Sequence, residues 1–85
     1  MDQIVQIEEN YRKGVAITIH SKDAGLVSLL NSYIEKKLML LKKAGYVKSI
    51  ANRVDVIIVV LPRGVTPQEF MVVFKKISPT LSQYI

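Results

Sequence analysis

The chain has 85 residues, of which 49% are hydrophobic and 22% are charged, and its formal net charge at pH 7 is +5. This composition is typical of a globular domain and excludes a disordered or collagen-like chain. The chain contains no cysteine, which excludes a disulfide framework and a thiolate metal site. We therefore expect a single α+β domain spanning residues 1–85, stabilised by its apolar core.

Two strands are predicted at the start of the chain. Residues 3–8 alternate weakly between polar and apolar side chains, and residues 14–20 alternate strictly. A period of two residues is typical of a strand with one buried face. The polar segment 9–14, which ends in a glycine, is predicted to join the two strands as a hairpin.

A long amphipathic helix is predicted next. Asp23 is suited to cap its first turn, and Gly45 is suited to end it in a left-handed conformation. Lys42 and Lys43 fall in the last turn, where the helix dipole favours cations. Apolar residues recur at spacings of three and four, the helical period. The predicted buried face consists of Leu26, Leu29, Leu30, Tyr33, Ile34, Leu38, Leu41 and Ala44.

A second hairpin is predicted in the other half of the chain. Residues 46–50 are predicted to form a short edge strand, and residues 54–61 a long central strand, with a polar turn at 51–53 between them. The almost continuous valine and isoleucine of the central strand indicates that both of its faces are covered. Asp55 would then be a polar residue inside an apolar strand.

A second helix follows, and its start has a complete capping pattern. Thr66 is the predicted cap, Pro67 the first helical residue and Glu69 the partner that closes the capping box. Ser78 followed by Pro79 is predicted to end the helix and to begin one further short turn.

The predicted order is strand, strand, helix, strand, strand, helix. It corresponds to a ferredoxin-like βαββαβ arrangement whose last strand has moved to the front. The resulting two-layer sandwich has a four-stranded sheet with both helices on one face. We expect the strands at 14–20 and 54–61 to be parallel central neighbours, joined through a right-handed crossover. The open face needs a cover for its apolar residues, so a homodimer is expected.

Basic residues are concentrated in one segment. Residues 36–53 contain six basic and no acidic side chains, whereas the rest of the chain contains six basic and seven acidic ones. Clustered cations can follow a phosphate backbone and release its counterions. The candidate nucleic-acid-binding residues are therefore Lys36, Lys42, Lys43, Lys48 and Arg53. The competing interpretation is structural, since lysines also complement a helix dipole and protect an edge strand.

Signals for catalysis and for bound cofactors are weak. His20 is the only histidine, and its neighbours along the chain point in different directions, so no catalytic triad is predicted. One histidine without cysteine supplies too few ligands for zinc. The loop at 61–66, with Arg63, leads into a helix N-terminus and could hold a small anion, but the capping pattern already uses that end. We assign no catalytic residue, no metal and no cofactor, and the sequence does not favour an enzyme.

The sequence therefore predicts a small basic homodimer that either binds DNA or RNA by contacting the nucleic-acid backbone or acts as a regulatory protein. One alternative is a protein-interaction module whose apolar sheet face binds a partner. Another is a small-ligand sensor or enzyme with a pocket at the dimer interface near His20 and Arg63. The first ten residues lack the basic start of a signal peptide, and the longest apolar run, 56–61, is far below the roughly 20 residues of a membrane span. A cytoplasmic protein without a membrane partner is expected.

Overall fold

The computed structural model describes residues 3–12 and 14–85. The elements follow in the order β1 (Val5–Tyr11), β2 (Gly14–Ile19), α1 (Ala24–Lys43), β3 (Ser49–Arg53), β4 (Val56–Val60), α2 (Pro67–Ile77) and a short 3₁₀ helix (Pro79–Gln83). The strands form one sheet in the order β1-β2-β4-β3, and every neighbouring pair is antiparallel. The fold is thus α+β, with a four-stranded antiparallel sheet and two helices.

The core lies on one face of this sheet. Alternate residues of the two central strands, which pair across β2 and β4, are completely buried. They belong to the same cluster as the buried faces of both helices and Leu81 of the 3₁₀ helix. Within α2 the rings of Phe70 and Phe74 stack with centroids 5.4 Å apart. The fully buried strand residues on this face are Val5, Val15, Ile17, Ile57 and Val59.

Helix α1 begins and ends where its capping residues predict. Asp23 Oδ1 accepts a hydrogen bond from the Leu26 amide at 3.1 Å, and Gly45 has a φ of +90° just beyond the last turn. The predicted buried face is wrong at two positions, since Leu29 is 66% exposed and Ala44 is the exposed C-cap. Leu29 precedes the buried Ile34 by five residues, which rotates it about 140° around the helix axis from that residue.

Helix α2 also begins as predicted. Thr66 Oγ1 accepts from the Glu69 amide at 3.1 Å and donates to Glu69 Oε1 at 3.2 Å. The helix ends at Ile77, and the Ser78 hydroxyl turns back to donate to the Phe74 carbonyl. Among the described residues, neither this helix nor any other is both long and apolar enough to cross a bilayer.

The expected parallel pairing of the two central strands is wrong. Strands β2 and β4 are antiparallel, with Ile17 opposite Ile57 and Gly14 opposite Val60. The reason is that α1 leads into β3, which reverses directly into β4. Helix α1 therefore connects β2 to β3. Strand β4 lies between these two strands in the sheet and is antiparallel to both.

The first hairpin is longer than predicted. Strand β1 continues to Tyr11, which pairs with Gly14, and its register shifts between Glu8 and Tyr11. Arg12 has a φ of +55°, whereas Lys13, part of the predicted connection, lies outside the described residues. The polar residues thus extend the strand instead of ending it.

The predicted turn of the second hairpin is also wrong. Residues 51–53 belong to β3, and the reversal occurs at Val54 and Asp55, which are exposed. Asn52 is held in the strand by bonds to α1, because its amide donates to Asn31 Oδ1 at 2.9 Å and to Glu35 Oε2 at 2.7 Å. Asp55 is therefore a turn residue and does not enter the apolar strand.

Val54 adopts an unfavourable backbone conformation in this turn. Its φ is +61°, a region that β-branched residues rarely occupy, and its side chain is 67% exposed. We expect Val54→Asn to raise the free energy of unfolding by about 1 kcal/mol, because asparagine tolerates the left-handed region and little apolar burial is removed. Urea denaturation measures the change. Val72→Asn, at a similarly exposed valine within α2, should give no gain. A lower stability of the Val54 variant would mean that the side chain of Val54 stabilises the turn.

Candidate nucleic-acid interface

Three basic side chains from separate parts of the chain line one cavity at one end of the sheet. Arg12 follows β1, Lys48 precedes β3, and Arg63 lies between β4 and α2. The cavity has a volume of about 530 Å³, and its wall also includes Gly14 and the acidic Glu9. This convergence depends on the antiparallel pairing of β2 and β4, because that pairing brings the start of β2 beside the end of β4.

The backbone fixes where these three side chains begin. Lys48 donates its amide hydrogen to the Val60 carbonyl at 2.8 Å, which ties it to the end of β4. Arg63 lies in a turn that is closed by a bond from the Val65 amide to the Pro62 carbonyl at 3.2 Å. The Arg12 guanidinium lies 5.5 Å from the centroid of the Tyr11 ring, a cation–π distance.

The last turn of α1 carries two more cations toward this end. Lys42 and Lys43 are exposed, and they precede Lys48 by only a short connection. The Tyr46 amide bonds to the Leu41 carbonyl at 2.9 Å, which keeps that connection close to the helix end. We call these five residues the cationic end: Arg12, Lys42, Lys43, Lys48 and Arg63.

Two of the predicted binding residues lie away from the cationic end. Lys36 is exposed on α1 and precedes Lys43 by two turns, or about 10 Å along the axis. Arg53 is at the far end of β3, about 17 Å along the strand from Lys48. It pairs with Val56 and belongs to the open face of the sheet.

Arg12 and Arg63 are not among the predicted binding residues, although the structure brings them to Lys48. A parallel pairing of β2 and β4 would have placed them at opposite ends of the sheet. The feature that could have predicted this convergence is the direct reversal of β3 into β4, because this reversal makes β4 antiparallel to β2.

The open face of the sheet has an apolar strip across its two central strands, which Thr18 interrupts opposite Val56. Ala16, Val56, Ile58 and Val60 form the central strip. None of these four side chains is an aromatic ring, on which nucleic-acid bases stack in sheet-based RNA-binding domains. Tyr11 pairs with Gly14 in the row of Val60, so one aromatic side chain lies beside one end of the strip. The centre of the strip therefore provides no stacking platform for bases.

His20 lies at the other end of the open face from the cationic end. Its Nε2 is 2.9 Å from Oε1 of Gln6 on β1, and the side chain is exposed. Gln6 supplies neither a nucleophile nor a carboxylate, so the pair does not form a catalytic arrangement. Residues 3–12 and 14–85 contain no group of three or more potential metal ligands close together.

Comparison of the chain with protein-family models, with curated proteins and with solved structures yields no match. Function is therefore inferred from the geometry and charge of this chain alone.

Proposed function

We propose that this protein is a small homodimeric nucleic-acid-binding protein that contacts the phosphate backbone through its cationic end. The observation that supports the proposal most is the convergence of Arg12, Lys48 and Arg63 on one cavity. Three separate connections supply these residues, so neither a helix dipole nor the protection of one edge strand accounts for the cluster. Lys42 and Lys43 extend the same positive surface.

The chemistry of the cluster fits phosphate oxygens. Arginine presents a planar fork of donors that matches phosphate geometry, and lysine adds a compact positive charge. Gly14 also lines the cavity, at the point where β2 approaches the Val59 carbonyl of β4. Contacts of this kind position a protein on nucleic acid without reading its sequence. The expected binding is thus similar for different sequences and depends strongly on salt.

We further propose that the fold is a permuted form of the ferredoxin-like arrangement. The order β1-β2-β4-β3, antiparallel throughout, supports it, with β1 occupying the edge position that the last strand takes in the unpermuted order. In this arrangement Arg12 directly follows the edge strand β1 and lies at the cationic end. A nucleic-acid ligand also fits the cytoplasmic location that the sequence predicts.

Neutralising the cavity cations tests the proposed function. We expect the triple variant Arg12→Gln, Lys48→Gln, Arg63→Gln to bind duplex DNA and RNA more weakly whatever their sequence. The slope of log K against log salt should become shallower by about 0.7 to 0.9 for each phosphate that the variant no longer neutralises. Fluorescence anisotropy across a salt series measures both quantities.

A matched control removes the same charge elsewhere. Three other exposed lysines do not line the cavity that Arg12, Lys48 and Arg63 share: Lys22, Lys75 and Lys76. Their replacement by glutamine lowers the net charge equally but should leave most of the affinity and slope intact. Equal weakening by both triple variants would mean that net charge alone drives binding. The absence of binding to DNA or RNA at low salt would contradict the proposal and favour a protein-interaction module.

A further inference from the structure

The open face of the sheet carries apolar side chains where a solvated face would carry polar ones. The outward residues of the central strand β4 are Val56, Ile58 and Val60, all of them β-branched and half-buried. An antiparallel sheet that faces water on one side normally alternates apolar and polar residues. Both helices contribute to the core on the other face. The apolar strip therefore has the character of a covered surface.

The two edges of this face carry opposite charges. Glu8 lies on edge strand β1 and pairs with Ala16, whereas Arg53 lies on edge strand β3 and pairs with Val56. Both side chains are exposed, and both share the face of the apolar strip. On this face, therefore, β1 carries one acidic residue and β3 one basic residue, with the apolar strip between them.

We propose that a second copy of the chain covers this face, related by a two-fold axis that runs between the two sheets, parallel to the strands. Such an axis lays β1 of one copy over the partner's β3. Along the strand direction, Glu8 then lies two residues, or about 6.6 Å, from the partner's Arg53. The two sheets that carry these residues are about 10 Å apart. These two long side chains can span that gap.

The same contact occurs twice, because a two-fold interface is self-complementary. A two-fold axis perpendicular to the strands would instead lay β1 over the partner's β1 and bring the two acidic edges together. The charge pattern therefore favours a second copy in one orientation over a partner of unrelated charge.

The size of the face sets the strength of association. Four strands about 4.8 Å apart, with five residues of about 3.3 Å each, give a face of about 320 Å² in plan. The two faces of a dimer would together bury about 640 Å² in plan, below the roughly 1,200 Å² at which standard specific interfaces begin, so the dimer belongs to the weak class. We expect dissociation in the micromolar range, because so small an area must also offset the entropy cost of association.

The orientation has a consequence for the cationic end. An axis parallel to the strands keeps corresponding strand ends together, so both cationic ends lie on one side of the dimer. One nucleic acid can then contact both copies. The slope of log K against log salt then becomes steeper, because more phosphates are neutralised at once. This consequence rests on the function proposed above, whereas the dimer itself does not.

An exchange of charges between the edges tests the dimer. Sedimentation equilibrium without nucleic acid should give twice the chain mass of 9.6 kDa for the wild type at tens of micromolar. Glu8→Arg alone and Arg53→Glu alone should each weaken the dimer about tenfold, because like charges then face each other at both contacts. An equimolar mixture of the two variants should restore wild-type affinity, since each mixed dimer again pairs opposite charges twice.

A matched pair of lysine substitutions locates the interface. Ile58→Lys, in the centre of the strip, should leave the protein monomeric, whereas Leu40→Lys, at a leucine 55% exposed on α1, should leave the dimer unchanged. The reverse result would place the interface on the helices and overturn the proposal. A wild-type monomer at high concentration, or a mixture no tighter than its components, overturns it as well. Salt-dependent binding by such a monomer would keep the proposed phosphate contact of the cationic end and overturn only the homodimer. A dimer that binds no nucleic acid would overturn only the nucleic-acid function.

Discussion

Gly14→Ala is expected to lower the free energy of unfolding by about 3 kcal/mol or more, the upper range for overpacking a buried site. A Cβ atom at this position would lie 1.8 Å from the carbonyl oxygen of Val59 and 2.9 Å from its carbonyl carbon. These are backbone atoms of the adjacent central strand, so no rotation of a side chain can relieve the overlap. The substitution must separate β2 from β4 where they pair. Thermal and urea denaturation measure the destabilisation.

The control is Gly25→Ala, in the first turn of α1. A Cβ atom there meets only the side chain of Asp23, at 3.3 Å. Alanine is favoured over glycine in a helix by about 1 kcal/mol, so the variant should be as stable as the wild type or more stable. A Gly14→Ala protein with wild-type stability would mean that the strands are farther apart than the structure places them. The same separation would open the cationic cavity, which Gly14 lines, so weaker nucleic-acid binding should accompany the lower stability.

Local signals in the sequence predicted the ends of the helices. The cap at Asp23, the left-handed Gly45 and the cap at Thr66 are each decided by residues within one turn of the position concerned. Such interactions do not depend on the rest of the chain, because the donor and the acceptor are close in sequence. Alternation of side chains likewise predicted β2 with its observed start at Gly14.

Features that depend on contacts between distant residues were not predictable in the same way. The end of β3 is set by bonds from Asn52 to α1, 17 and 21 positions away in sequence, and no local pattern reports them. The direction of β4 relative to β2 is a property of the whole topology. The error in that direction also concealed the candidate site, because Arg12 and Arg63 come together only when the two strands are antiparallel.

Two pairs of adjacent leucines on α1 provide the second large expected effect. Leu30 and Leu41 are 3% and 2% exposed, whereas their neighbours Leu29 and Leu40 are 66% and 55% exposed. We expect Leu30→Ala and Leu41→Ala each to lower the free energy of unfolding by about 2 to 5 kcal/mol, since each removes buried methyl groups and leaves a cavity. Denaturation with urea, followed by circular dichroism, measures the change.

The neighbouring substitutions keep the chemistry and change only the burial. Leu29→Ala and Leu40→Ala should alter stability by less than about 0.5 kcal/mol, the range of ordinary surface positions, and alanine is at least as favourable in a helix. Because a small domain has a total stability of about 5 to 15 kcal/mol, the buried substitutions should shift the midpoint visibly and the exposed ones should not. Similar destabilisation at Leu29 and Leu30 would mean that α1 buries the wider face that the sequence predicts. A second copy that covered the helices instead of the sheet would produce the same result. Measured at concentrations above and below the dissociation constant of the dimer, the four variants therefore also test which face the second copy covers.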